Sequence, residues 1–226
     1  MAETTFNPLD KRNLGESVAG ALLRRSIGPL PPAIRFTGAG IYAIYYTGSL
    51  KVYGLIAERN RNGRFERPIY VGKAVPPGAR KGGFGLGTAP GSALFNRLRE
   101  HSKSITACAS LKLDDFHCRY LVSDDIWIPL GEALLIENFK PLWNVLLDGF
   151  GNHPTGKRRA TQYRSRWDMF HPGREWAARL PDNPENPARL EKRIVDFLQG
   201  KDVQIISIEE AVMAEESGNQ NAEDEE

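Results

Sequence analysis

Cysteine is nearly absent from this 226-residue chain, which has only Cys108 and Cys118. Two thiols cannot build a disulfide framework, and without a CxxC or a nearby His pair they offer no zinc site. They are expected as buried, small apolar residues in a reducing compartment. Long apolar runs are missing too. No stretch approaches the roughly 20 residues that a membrane span needs, and the start MAETTFNPLDKRN is polar, unlike a secretory leader. The expectation is a soluble, cytoplasmic protein with no membrane partner. The glycine-rich run Gly82-Gly-Phe-Gly-Leu-Gly87 fits neither G-x-G-x-x-G nor G-x-x-x-x-G-K-[ST], which argues against a nucleotide cofactor.

What is present is ordinary for a globular chain: 41% apolar and 26% charged residues, with 22 Gly and 15 Pro implying many turns and long loops. The length suits one domain with a modest appendage. A net charge of +2 hides an asymmetry. Residues 1–208 hold all 30 Lys and Arg but 20 of the 28 acids, a net +10, and the remaining eight acids lie from Glu209 onward. A body this basic suits a polyanion such as nucleic acid, although many solvated surfaces are equally basic. The tail from about Glu215 reads as disordered, either a solubilising segment or a mimic of DNA charge.

Periodicity predicts helices over residues 9–26, 93–105, 130–140 and 188–199, and strands over 40–46, 68–72 and 116–122, with further strands at 50–57 and 203–208. Residues 76–92 read as a long loop. Five segments contain side chains suited to phosphodiester hydrolysis. Tyr42 and Tyr70 lie in strands, and Arg97 and His101, four apart on one helix, share a face. Glu132 enters the first turn of another helix, and Asn144 follows it. Each has a plainer reading: strand tyrosines usually pack, an Arg–His pair one turn apart is usually solvated, and a Glu at a helix start usually complements the dipole.

In order and spacing, these residues resemble the GIY-YIG nuclease superfamily. Gly40-Ile41-Tyr42 supplies the first signature strand and Tyr70-Val71-Gly72, with Val for Ile, the second. The Arg97/His101 helix, Glu132, Pro141 and Asn144 complete a pattern over about residues 38–146. The runs FNPLD, NLGES, ALL and, at 164–177, RSRWDMFHPGREWA are similar to the type II restriction endonucleases that cleave CCGCGG. The separation of Tyr42 and Tyr70 by 28 residues implies an insertion at 48–67, for target binding or assembly.

The resemblance implies an α+β fold in which a three-stranded antiparallel sheet is flanked by helices. The expected segments are an N-terminal helical arm (1–37), a nuclease core (38–147), a basic, aromatic-rich elaboration (148–208) and the tail (209–226). It implies a double-strand-specific DNA endonuclease acting as a homodimer on a palindrome, with α-helical arm and insertion as dimer contacts. Tyr42 would act as base with His101 orienting it or receiving its proton. Arg97 would stabilise the phosphate, and Tyr70 would bond the phosphate or the water. A lone Glu132 favours a single Mg²⁺, or Mn²⁺, over a two-metal site. Asn144 would fix the site's geometry or close the metal pocket, and Lys73 is either a phosphate contact or an exposed lysine.

Residues 157–179 hold seven basic side chains among Tyr163, Trp167, Phe170 and Trp176. Lys157, Arg158, Arg159, Arg164 and Arg166 are candidate DNA contacts, since arginine can read guanine in the major groove. The alternative is that Trp167, Phe170 and Trp176 pack a small subdomain. His117, His153 and His171 have no metal-spaced partner, and turn or surface roles are expected for them.

Overall fold

The computed structural model describes residues 5–76, 89–153, 162–205, 207, 208 and 210. Helix α1 (Lys11–Leu23) starts where the Asp10 carboxylate accepts from the Arg12 amide, satisfying a donor that the first turn leaves unpaired. After it come β1 (Gly28–Pro29), β2 (Gly40–Tyr46), a 3₁₀ turn at Lys51–Tyr53 that runs into α2 (Gly54–Asn60), and β3 (Tyr70–Ala74). Then follow α3 (Ala93–Thr106), β4 (Phe116–Val122), α4 (Ile128–Phe139), the short α5 (Leu142–Val145) and α6 (Arg166–Phe170), and α7 (Pro187–Leu198).

The fold is α+β, with an antiparallel sheet in the order β1-β4-β2-β3. The three expected strands form, and a fourth is added where Gly28 and Pro29 pair with Cys118 and His117. Strand β2 is buried at all seven positions because helices cover both faces of the sheet. Tyr42, Ile44 and Tyr46 join one core with Leu94, Leu98 and Ile105 of α3 and residues from the chain beyond α4. Ile41, Ala43 and Tyr45 join a second core with Ala19 and Leu22 of α1 and Ile128, Leu134 and Leu135 of α4. Small residues set the second layer: a Cβ on Gly131 would lie 2.6 Å from Val18 Cγ1, so α4 can approach α1 and β2 closely only with glycine there. The apolar side of α1 is therefore used within the chain.

Three expectations are corrected. Residues 50–57 are not a strand: Val52, Tyr53, Ile56 and Ala57 are buried at helical spacing. Buried Asn60 then ties the segment down, donating to the Tyr46 and Arg67 carbonyls at 3.0 and 2.8 Å and accepting from the Arg67 amide at 2.9 Å. Among the described residues of 203–208 there is no strand. The carbonyls of Gln204 and Ser207 instead accept from Arg193 and Arg166 at 2.8 and 3.2 Å. Helix α4 begins at Ile128, which moves Glu132 from the first turn to the second. Gly82–Gly87, Lys157, Arg158, Arg159 and the tail from 211 lie outside the described residues.

Candidate active site

Strand register builds the first half of the site. Tyr42 of β2 sits opposite Gly72 of β3 and Tyr120 of β4. Cross-strand partners share a face, so the phenol leans over Gly72, and a Cβ at residue 72 would lie 2.4 Å from its hydroxyl oxygen. The third letter of the second signature is thus a space requirement. From α3, His101 reaches the same hydroxyl, with Nε2 at 2.6 Å from it. Both residues are buried, and burial moves their proton affinities apart. The Tyr42 phenol is pushed well above its usual range by desolvation, then by neighbouring Tyr70, against the pull of Arg97. His101 is pushed well below the usual imidazole range by desolvation, then by the charges of Arg97, His153 and Arg174. A protonated phenol therefore faces an uncharged imidazole.

Tyr70, 9% exposed, lies beside this pair, its ring centroid 6.2 Å from that of Tyr42 and 5.2 Å from that of His101. Arg97, one turn before His101, acts electrostatically on both phenols. Its guanidinium is held from the other side, donating to the Gly151 carbonyl at 2.6 Å and contacting His153. Phe150 stacks on the His101 ring at 4.4 Å between centroids. The segment after Asn144, Gly149-Phe150-Gly151-Asn152-His153, is thus part of the site, and sequence reasoning missed it. Its signal is the pair of glycines around an aromatic residue: a Cβ on Gly151 would lie 2.5 Å from the Tyr70 hydroxyl. His153, on the surface as expected, stands at the site beside Arg97 and Glu100. Arg97, His101, Phe150, Asn152, His153 and Trp176 line a cleft here.

The acid arrives from the other layer. Alternation along β3 puts Lys73 on the α4 side, where its ammonium lies 2.6 Å from the Glu132 carboxylate. The Glu132 side chain is 17% exposed, and its charge raises the proton affinity of both Tyr42 and Tyr70. Groups from both faces thus meet around edge strand β3. Asn144 holds that edge: its side-chain oxygen accepts from the Val71 amide and its nitrogen donates to the Val71 carbonyl, both at 2.8 Å. The amide acts as one rung of a missing strand, so of its two expected roles the geometry matches positioning. Among the described residues no three His, Cys, Asp or Glu gather as a metal site. The residues fit a divalent cation held by one protein carboxylate, the rest of its shell coming from phosphate and water. Magnesium commonly binds in this way, and the Lys73 ammonium already marks Glu132 as a position that attracts a cation.

The basic stretch behaves differently from its expectation. Trp167 is fully buried against Trp143 and Phe150, and Arg166, 4% exposed, donates to Glu185 at 2.6 Å. Arg193 contacts the same carboxylate. A guanidinium committed to a buried pair has no surface to offer a phosphate, so Arg166 is withdrawn as a DNA contact. Arg164 is partly covered, with an ion pair to Asp182 at 3.0 Å and a bond to the Ala177 carbonyl at 3.3 Å. His171 is also buried, not superficial, and bonds Tyr53 and Ser110.

A family profile described as the Eco29kI GIY-YIG domain matches residues 34–198, a span that takes in β2 through α7 and every side chain of the candidate site. No curated protein matches the chain at a significant level.

Proposed function

The chain belongs to the Eco29kI GIY-YIG domain family, a family of restriction endonucleases, and from that premise we propose a site-specific cut in both strands of duplex DNA. The target is a palindromic, GC-rich sequence, with CCGCGG suggested by the family likeness. One observation carries the reading: the Tyr42 hydroxyl bonds the buried His101 imidazole at 2.6 Å, with Arg97 and, more weakly, Glu132 acting on the phenol electrostatically. Hydrolysis needs a proton acceptor for water, positive charge at the phosphate, and help for the leaving oxygen, and these groups supply the parts.

Tyr42 serves as the base. Burial opposes a standing phenolate, so Tyr42 accepts the water proton as its own proton moves to Nε2 of His101. Arg97, always charged, neutralises the scissile phosphate, and its bond to Gly151 fixes the direction of its fork. Tyr70 donates to the phosphate or the water. Lys73 adds a phosphate contact, and Asn144 keeps β3 in place. Glu132 would hold one Mg²⁺, or Mn²⁺ in its place, which supplies Lewis-acid charge to the phosphate and the departing oxygen. Lys157, Arg158 and Arg159 remain the proposed DNA contacts of the elaboration 148–208, with Arg164 as a flanking one. A palindrome calls for a homodimer, each subunit cutting one strand, with the N-terminal helix and segment 48–67 as the candidate contacts.

Digestion of a sequenced plasmid with Mg²⁺, followed by mapping of the cut ends, tests the proposal. Discrete fragments with ends at one palindrome support it. Nicks or smears would point to a repair-type or non-specific member of the superfamily, and intact plasmid to a protein that binds without cutting.

A further inference from the structure

Arg174 touches neither phenol, yet all five of its N–H groups are spent close to the site. Nε and Nη2 donate to the two oxygens of Asp168, each at 2.6 Å. Nη1 donates to the carbonyls of Phe150 and Asn152 at 3.1 and 3.3 Å, and Nη2 also donates to that of Gly149 at 2.9 Å. The guanidinium is 5% exposed and lies between two indoles, 4.6 Å from the Trp167 ring and 4.7 Å from the Trp176 ring. Asp168 is held in turn by the Ser165 hydroxyl at 2.7 Å.

Three of the four carbonyls from Gly149 to Asn152 thus converge on one cation. The fourth, that of Gly151, accepts from Arg97 at 2.6 Å, and Phe150, in the middle of the segment, stacks on His101. We propose that Arg174 is a positioning residue: its planar fork fixes the 149–152 segment so that the Gly151 carbonyl sets the direction of Arg97. This assigns the RWDMFHPGREW stretch an inward task, contrary to DNA contact by all its arginines. The inference rests on the proposed role of Arg97 at the phosphate. A lysine cannot replace Arg174, because a three-donor point charge cannot serve both Asp168 oxygens and three carbonyls at once.

The test is a double-substitution cycle read by single-turnover cleavage of a mapped duplex site. Arg174→Lys should slow cleavage about 10- to 100-fold, as expected of a misplaced catalytic group, while duplex affinity without divalent ions stays within about twofold. In an Arg97→Lys background the same substitution should cost no more than about a further twofold, because the two act as one unit. Equal losses in both backgrounds, or affinity falling as far as rate, would overturn the proposal. Asp168→Asn serves as a second variant with the same expected pattern, and loss of cooperative folding in both variants would assign Arg174 to the fold alone and also overturn it. If the unaltered protein cuts no duplex, the functional reading fails instead. The positioning claim then rests on the Arg97 Nε–H resonance, which should move in Arg174→Lys and would contradict the claim by staying still.

Discussion

The molecule contains two tyrosine–histidine pairs with the same 2.6 Å bond, Tyr42–His101 and Tyr53–His171, and the surroundings of the two pairs separate chemistry from packing. In both pairs the phenol is pushed well up and the imidazole down, chiefly by burial. Tyr53 also accepts from Trp143 Nε1 at 3.1 Å, and His171 bonds Ser110 at 2.8 Å, so the second pair is closed off by neutral partners. Around Tyr42 stand a guanidinium, a second phenol and a carboxylate. The bond is therefore no signature of catalysis. Charged groups aimed at it from α3 and α4 make the difference, and each can be removed separately.

The largest effect is expected from Glu132→Ala, which takes away the carboxylate that the Tyr53 pair lacks. Mg²⁺-dependent cleavage should fall by about 10³-fold or more while duplex binding persists, and persistent cutting would show the metal assignment to be wrong. Arg97→Ala should lower the single-turnover rate by roughly 10²- to 10³-fold, a typical cost for losing one transition-state donor, with a much smaller change in affinity. The reverse pattern would make Arg97 a docking residue.

The Tyr53 pair should respond in stability instead. Burial holds His171 at about 3, below the ordinary 6.5, so below pH 6.5 the unfolded chain binds a proton that the folded one refuses. The folded state therefore keeps this contribution above about pH 6.5 and loses about 2 kcal/mol of it by pH 5. Urea melts at pH 7 and 5 should show that loss, reduced by about the same amount in His171→Gln, and an unchanged pH dependence would contradict the assignment. The smallest effect is a flat one. With Tyr42 kept protonated and His101 kept neutral, the free-enzyme pH–rate profile should show no break near 6.5, and a clear break there would mean that His101 titrates in its ordinary range.

Much of the fold was legible because its signals are periodic. The apolar run of β2, the alternation over Phe116–Val122 and the four- and seven-residue spacing of Leu94, Leu98 and Ile105 each state what they face. The stretch 50–57 misled because four buried residues in eight fit a strand as well as a short helix, and only the packing of Val52, Tyr53, Ile56 and Ala57 decides. In the site, Tyr42, His101 and Arg97 were legible from order along the chain. The 149–152 segment was not, since much of its contribution runs through backbone carbonyls, and His153 was not, since only the fold brings its ring to Arg97. Arg166 misled for a related reason: basic residues among aromatics suit a DNA surface and a buried clamp equally, and the acid that buries it, Glu185, is identified only by contact.

The most direct test of the central claim sets Tyr42→Phe beside Tyr53→Phe on the same duplex, in single-turnover cleavage with thermal unfolding of each protein. Tyr42→Phe should lose about 10²- to 10⁴-fold in rate. Tyr53→Phe should lose about 1 to 2 kcal/mol of stability, the cost of a buried hydroxyl that serves two partners, and cut within about threefold of the unaltered protein. Near-normal cleavage by Tyr42→Phe, or equal losses from both substitutions, would contradict the account.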